Sequence, residues 1–229
     1  MSWSWMPSYA GPLVQGLGIT LLVLGVSVVV GFLLAIPLGF VQLAPRTVTG
    51  RLSVAFCNLM RGTPLLMQLY MFYYGLGSLL PLLPREGFGW LLRLDAIYYV
   101  LLAFTLNFAG YEAVVLRAAF LAVPRGEIEA AQALGLSPAQ VFWRIWFPAA
   151  LSRVLPTLAG DVVAQLKSTP LAFTVPVMDL MGVAHRIMQD TALYFEPLIL
   201  VALVYVALAA CITEVFAALE RKVRRVVPA

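Results

Sequence analysis

Charge is scarce in this chain. Asp, Glu, Lys and Arg make up 11% of its 229 residues against 62% apolar ones, and the mean hydropathy is +0.93. Soluble domains carry roughly 25% charged residues, which excludes a water-soluble globular domain and leaves an integral membrane protein. The first 45 residues hold no charge at all. The positive n-region of a cleavable signal peptide is therefore missing, and the first apolar run is read as a membrane span. Histidine occurs once (His185) and cysteine twice, Cys57 and Cys211, each within an apolar run. This pattern offers neither a disulfide framework nor a metal centre, and both thiols are expected to be small buried hydrophobes. His185 is expected at a solvated or interfacial position. The strings G-x-x-x-x-G-K-[ST], G-x-S-x-G, C-x-x-C and H-E-x-x-H are all missing. No P-loop, catalytic residue, metal or cofactor is expected.

The apolar runs suit one bundle, a single domain over residues 1–229, of about five spans at roughly 20 residues each. The fold class read from this is all-α and integral to the membrane. Span one is placed at 13–44, behind an aromatic belt of Trp3, Trp5 and Tyr9. Its Gly16, Gly18, Gly25 and Gly31 are expected to permit close helix contacts, and Pro37 to bend it. The second run, 52–84, is interrupted by Arg61-Gly62-Thr63-Pro64. A charge at a helix centre costs about 2.5–3.5 kcal/mol by insertion scales, so Arg61 belongs near an interface or a polar cavity. A Pro- and Gly-rich loop at 81–93 leads to span three at 96–117. Span four begins near Pro148 and breaks at Ser168-Thr169-Pro170, where proline cannot supply a ladder N–H. Residues 178–196 read as a loop or short re-entrant helix, and span five covers 197–216 before a basic tail.

Between spans three and four lies a polar island at 124–148. It reads as two short helices. The first carries Glu127 and Glu129 with Ala130, Ala131 and Ala133, and stops at Gly135, a residue suited to a left-handed C′ position. The second opens with Ser137 as N-cap, Pro138 at N1 and Gln140 at N3, close to a capping box. Val141 with Ile145 and Phe142 with Trp146 form an apolar stripe at i,i+4. A polar inter-span loop and a helix-turn-helix nucleic-acid reader share this outline; tethering between two spans argues against the latter.

The order Glu129-Ala130-Ala131, Gly135, Ile145-Trp146-Phe147-Pro148 resembles the EAA loop of bacterial ABC importer permeases. The strings RGTPLL, TLN followed by GYE, VPRGEIEAAQALG and LKSTPLAFT extend the resemblance to the polar amino acid subfamily, of histidine, arginine, opine and glutamine type, over nearly the whole chain. The resemblance implies a type I ABC importer permease fold. It implies a cytoplasmic coupling helix docked on an ATPase subunit dimer through Glu127, Glu129, Ala130, Ala131 and Gly135. The other partners implied are a second permease subunit, an extracytoplasmic substrate-binding protein and an amino acid substrate. Without a P-loop of its own, the chain is expected to be a transport subunit and not an enzyme. Two positions depart from the subfamily: Val114 and Glu112, where Glu usually follows the span-three Tyr by three residues, and Gly160-Asp161 in place of Asn-Glu.

Intramembrane polar residues are expensive and mark a substrate path. Gln68, Asn107, Glu112, Asp161, Gln165 and Thr169 are the candidates, Glu112 and Asp161 for a cationic group and the others for neutral hydrogen bonds. The alternative for the two acids is internal pairing with Lys167 or Arg153. Counting Lys and Arg with the N-terminus outside places Arg46, Arg51, Arg117, Arg125, Arg144, Arg153, Arg221, Lys222, Arg224 and Arg225 inside against Arg85, Arg93 and Arg186 outside. The positive-inside rule then makes the EAA loop and the C-terminus cytoplasmic, in a bacterial inner membrane. An ion-coupled secondary transporter explains the acids but not the EAA order. A permease for a solute other than an amino acid, and a membrane scaffold without a path, are the further rivals.

Overall fold

The computed structural model describes residues 5–76, 78 and 94–226, with side chains to 223. Trp3 of the expected aromatic belt, the whole 81–93 loop with Arg85 and Arg93, and the side chains of Arg224 and Arg225 lie outside these. All secondary structure among the described residues is helical, joined by short turns and extended links. They are α1 (Met6–Val41), α2 (Val48–Gly62), α3 (Leu65–Tyr70) with a π-helical extension (Met71–Leu76), α4 (Ala96–Ala122), α5 (Arg125–Ala133), α6 (Pro138–Val141) with a π-helical extension (Phe142–Trp146), α7 (Phe147–Ser168), a 3-10 helix (Thr169–Thr174), α8 (Leu180–Thr191) and α9 (Phe195–Val226).

Three of these are long and apolar enough to cross a membrane: Met6–Val41, Ala96–Ala122 and Phe195–Val223. α7 has the length but carries Arg153, Asp161 and Lys167. The second apolar run is split where the sequence placed the split. Gly62 ends α2, Thr63 and Pro64 are extended, and α3 restarts at Leu65. Span four breaks into the 3-10 turn at Thr169. Span one starts earlier than expected, at Met6, so Tyr9 lies inside the helix and Trp5 is buried at its N-cap.

α4 is the central helix. Two-thirds of its most apolar window is buried, against 6% for α9, whose surface is left for lipid or another subunit. Close approach of α1 to α4 depends on small residues at four-residue spacing. A Cβ on Gly31 would stand 2.9 Å from the Thr105 carbonyl oxygen, and one on Gly39 2.7 Å from that of Ala113; with buried Ala35 between them they form a small-xxx-small seam. Of the glycines expected to mediate contacts, Gly16 and Gly31 do so, while Gly18 and Gly25 face open space. Gly110 brings α4 onto Met60 of α2 in the same way. The resulting core joins Phe108, Leu116 and Phe120 of α4 to Val154, Leu158 and Leu166 of α7. Cys57 is buried in that core as expected, but Cys211 is exposed, because α9 turns this face away from the bundle.

Candidate functional site

The break between α2 and α3 is held open by one amide. Gln68 Nε2 donates to the carbonyl oxygens of Met60 (2.8 Å) and Thr63 (3.1 Å) and lies 2.8 Å from the Thr63 hydroxyl. Carbonyls released from a helix ladder inside a membrane need such partners. Asn107 Nδ2 of α4 then donates to Gln68 Oε1 (3.1 Å) and to the Met60 carbonyl (3.3 Å). Both amides are buried, so the break and α4 form one rigid polar wall.

Opposite stands one face of α7, where Asp161, Gln165 and Ser168 recur at i, i+4 and i+7. Between the two walls is a cavity of about 290 Å³ lined by Thr63, Asn107, Tyr111, Asp161, Gln165 and Ser168, with Pro64, Leu65 and Phe108 as its apolar part. This lies near the lower limit of volumes that hold small ligands. Arg61 is exposed and stands over the ring of the cavity-lining Tyr111, 5.7 Å from its centroid.

The six expected path residues divide. Asn107, Asp161 and Gln165 line the cavity. Gln68 stands behind Asn107 as its brace. Thr169 is buried elsewhere: its hydroxyl donates to the Leu166 carbonyl (2.8 Å) and meets the Tyr205 hydroxyl (2.8 Å), tying the break in span four to α9. Glu112 is fully buried, its carboxyl adjoins that of Asp161, and no other described residue hydrogen-bonds its oxygens. Pairing of the acids with Lys167 or Arg153 does not occur. Among the described residues neither acid forms an ion pair with them, and Arg153 Nη1 donates to the Ala149 carbonyl within its own helix turn (2.7 Å). Tyr111, Thr63 and Ser168 were missed by sequence reasoning. Tyr111 lies four residues after Asn107 and Ser168 seven after Asp161, so helical spacing from the chosen residues reaches both.

The polar island folds as its local chemistry dictates. Gly135 has φ of +80°, and its N–H donates to the Gln132 carbonyl while that of Leu136 donates to the Ala131 carbonyl, a full Schellman motif. The capping box is formed: Ser137 N–H donates to Gln140 Oε1 (2.9 Å) and Gln140 N–H to Ser137 Oγ (3.4 Å). Glu127, Glu129 and Ala130 are exposed, and a Cβ on Gly135 would meet nothing within 4 Å among the described residues. Ala131, expected on the same docking surface, is buried within this chain. Leu134, overlooked in the sequence, is 81% exposed beside Gly135 at the tip.

The second half of the island is bolted to the spans. Phe40 of α1 meets Phe142 and Trp146 with ring centroids at 5.1 and 5.6 Å, Phe120 of α4 meets Trp146 at 5.8 Å, and Trp146 Nε1 donates to the Phe120 carbonyl (2.9 Å).

At the opposite end, outside the spans, α8 is capped by Asp179, whose Oδ1 accepts the Gly182 N–H (2.8 Å) while buried Oδ2 has no hydrogen-bond partner among the described residues. Burial pushes the Asp179 carboxyl up to about 6, against the lowering by backbone N–H groups. A folded-state value above the unfolded one means stability that is fully present below about pH 4 and is lost as pH rises through about 6. The melting temperature of the purified protein should fall across that window. Asp179→Asn, which keeps the cap, should flatten the fall; an unchanged slope would show that another group titrates. His185 is exposed, as expected, and stacks on Phe173 at 5.6 Å.

Residues 27–225 match the family of binding-protein-dependent transport system inner membrane components. The chain belongs to this family. It is similar to the octopine transport system permease protein of Rhizobium meliloti, with 33% identity over 93% of this chain and 89% of that one. It is also similar to the histidine/lysine/arginine/ornithine transport system permease protein of Escherichia coli (strain K12), with 33% identity over 90% and 87%. A chain in the crystal structure of an amino acid ABC transporter with histidines superposes with a TM-score of 0.80 at 26% identity, covering 97% of this chain and 99% of that one. The fold is that of the type I ABC importer permeases, and the protein is a multi-pass permease component of the inner membrane.

Proposed function

We propose that this permease is the membrane subunit of an ATP-driven importer of amino acids, with a preference for cationic ones. The observation that carries the reading is the cavity between the α2–α3 break, α4 and α7. Asp161 lines it, Glu112 adjoins Asp161, and among the described residues no basic side chain forms an ion pair with either. A substrate ammonium or guanidinium supplies the missing positive charge, and Arg61 over the Tyr111 ring suits the substrate carboxylate. The octopine and histidine/lysine/arginine/ornithine specificities of the relatives agree with this chemistry.

The chain lacks a P-loop, so ATP is hydrolysed by a partner dimer. That dimer docks on the exposed edge of α5 and the tip at Gly135, through Glu127, Glu129, Ala130 and Leu134. Closure of the ATPase pair moves the island, and the aromatic bolt around Trp146 carries the motion to the spans that wall the cavity, switching its access. A second permease subunit and an external binding protein complete the assembly. Uptake of labelled arginine, glutamine and glutamate by vesicles holding the full assembly tests the reading. Arginine should lead, and selective uptake of glutamate would overturn the cationic preference.

The proposed topology sets the N-terminus outside and the island with the C-terminus in the cytoplasm, from the excess of Lys and Arg on that side. Ser137→Cys in a variant lacking both native cysteines should resist an impermeant thiol reagent added to intact cells and react after permeabilisation. Labelling in intact cells would reverse the orientation.

A further inference from the structure

Against the island lies a second hollow, of about 580 Å³, unrelated to the polar cavity. One wall is the end of α1, with Leu33, Ile36 and Phe40; the other is the island, with Pro138, Phe142 and Trp143. No charged, hydroxyl or amide side chain lines it. Leu33 and Trp143 are 59% and 61% exposed, so the groove opens outward from a helix built to sit in lipid. Such a groove is unfavourable for water and suits a flexible hydrocarbon chain.

Exposed cations adjoin the two walls of the groove in the chain. Arg144 follows Trp143 directly, and Arg46 and Arg51 follow the end of α1; all three are exposed and none has an acidic partner among the described residues. Three unpaired cations within a few residues of the end of α1 or of Trp143 offer the charge that complements a phosphate headgroup. Trp143 is the type of residue that settles between hydrocarbon and headgroups.

We infer that this groove binds one acyl chain of an anionic phospholipid, with its phosphate at Arg46, Arg51 and Arg144, as a wedge between α1 and the island. The wedge would lie against the Phe40–Phe142 contact that ties the island to α1. The inference needs neither the proposed substrate nor the proposed ATPase docking, and vesicles with the same lipids in both leaflets test it whichever way the chain inserts.

The full chain is reconstituted with phosphatidylglycerol or phosphatidylcholine carrying a photoreactive acyl chain, and cross-linked peptides are mapped. Cross-links should concentrate on the groove walls over the open α9 face at Leu203 and Val206, with phosphatidylglycerol preferred about five-fold per arginine engaged. Ala139→Trp, which fills the groove, should remove the groove signal and leave that on α9 intact, which also reports a folded variant. Arg144→Gln should keep the cross-link while lowering the preference about five-fold. Equal labelling of groove and α9 would reduce the site to ordinary surrounding lipid and overturn the inference. So would loss of the signal with cross-linking to the ATPase subunit in the full assembly, since a protein would then fill the groove.

Discussion

Asp161→Asn should lower arginine uptake about 10- to 100-fold at subsaturating concentration and leave glutamine uptake within about two-fold. A unit charge pair at ~4 Å and an effective dielectric of ~20 is worth about 4 kcal/mol. Desolvation of the substrate cation offsets part of this, and about 1.4–2.7 kcal/mol remaining corresponds to the stated range. The Asn variant keeps the size of the side chain on the cavity wall, so the loss reads charge and not shape. Glu112→Gln separates contact from support. Glu112 is absent from the cavity lining and fully buried behind Asp161. Its effect should therefore be smaller for arginine than that of Asp161→Asn. Normal arginine transport by both variants would make the acids structural. Binding-protein-stimulated ATPase activity, unchanged in amount of assembled complex, controls for docking.

Trp146→Ala should uncouple the two ends of the molecule. Truncating a part-buried indole in an aromatic cluster costs about 3–5 kcal/mol, and the lost hydrogen bond to the Phe120 carbonyl adds about 0.5–1.5 kcal/mol. The spans themselves do not depend on this residue, so the chain should still insert. Transport and substrate-stimulated ATP hydrolysis should fall together, by ten-fold or more if about 1.4 kcal/mol of the lost contact energy belongs to the coupled state. Trp146→Phe restores ring contacts with Phe40 and Phe120 but not the N–H donor, and should fall between. Wild-type transport by the Ala variant at equal expression would show that the island moves the spans by another route, such as the peptide link into α7 alone.

The polar island and the helix breaks were legible in the sequence for a local reason. The Schellman turn at Gly135, the capping box of Ser137 and Gln140, and the breaks at Thr63-Pro64 and Thr169-Pro170 each depend on residues within six positions. The membrane class followed as directly, since 11% charged residues cannot cover a soluble surface. Which face of each span turns inward was decided only by the tertiary structure. Lipid and protein interior are both apolar, so an apolar pattern does not separate Gly31, packed on α4, from Gly25, open to the outside, or buried Cys57 from exposed Cys211. The same holds for the polar residues. Spacing places Asp161 and Gln165 on one face of α7, but that the face meets Asn107 and buried Glu112, and turns its acid away from Lys167 and Arg153, depends on how α4 and α7 cross through contacts more than 45 residues apart in the chain.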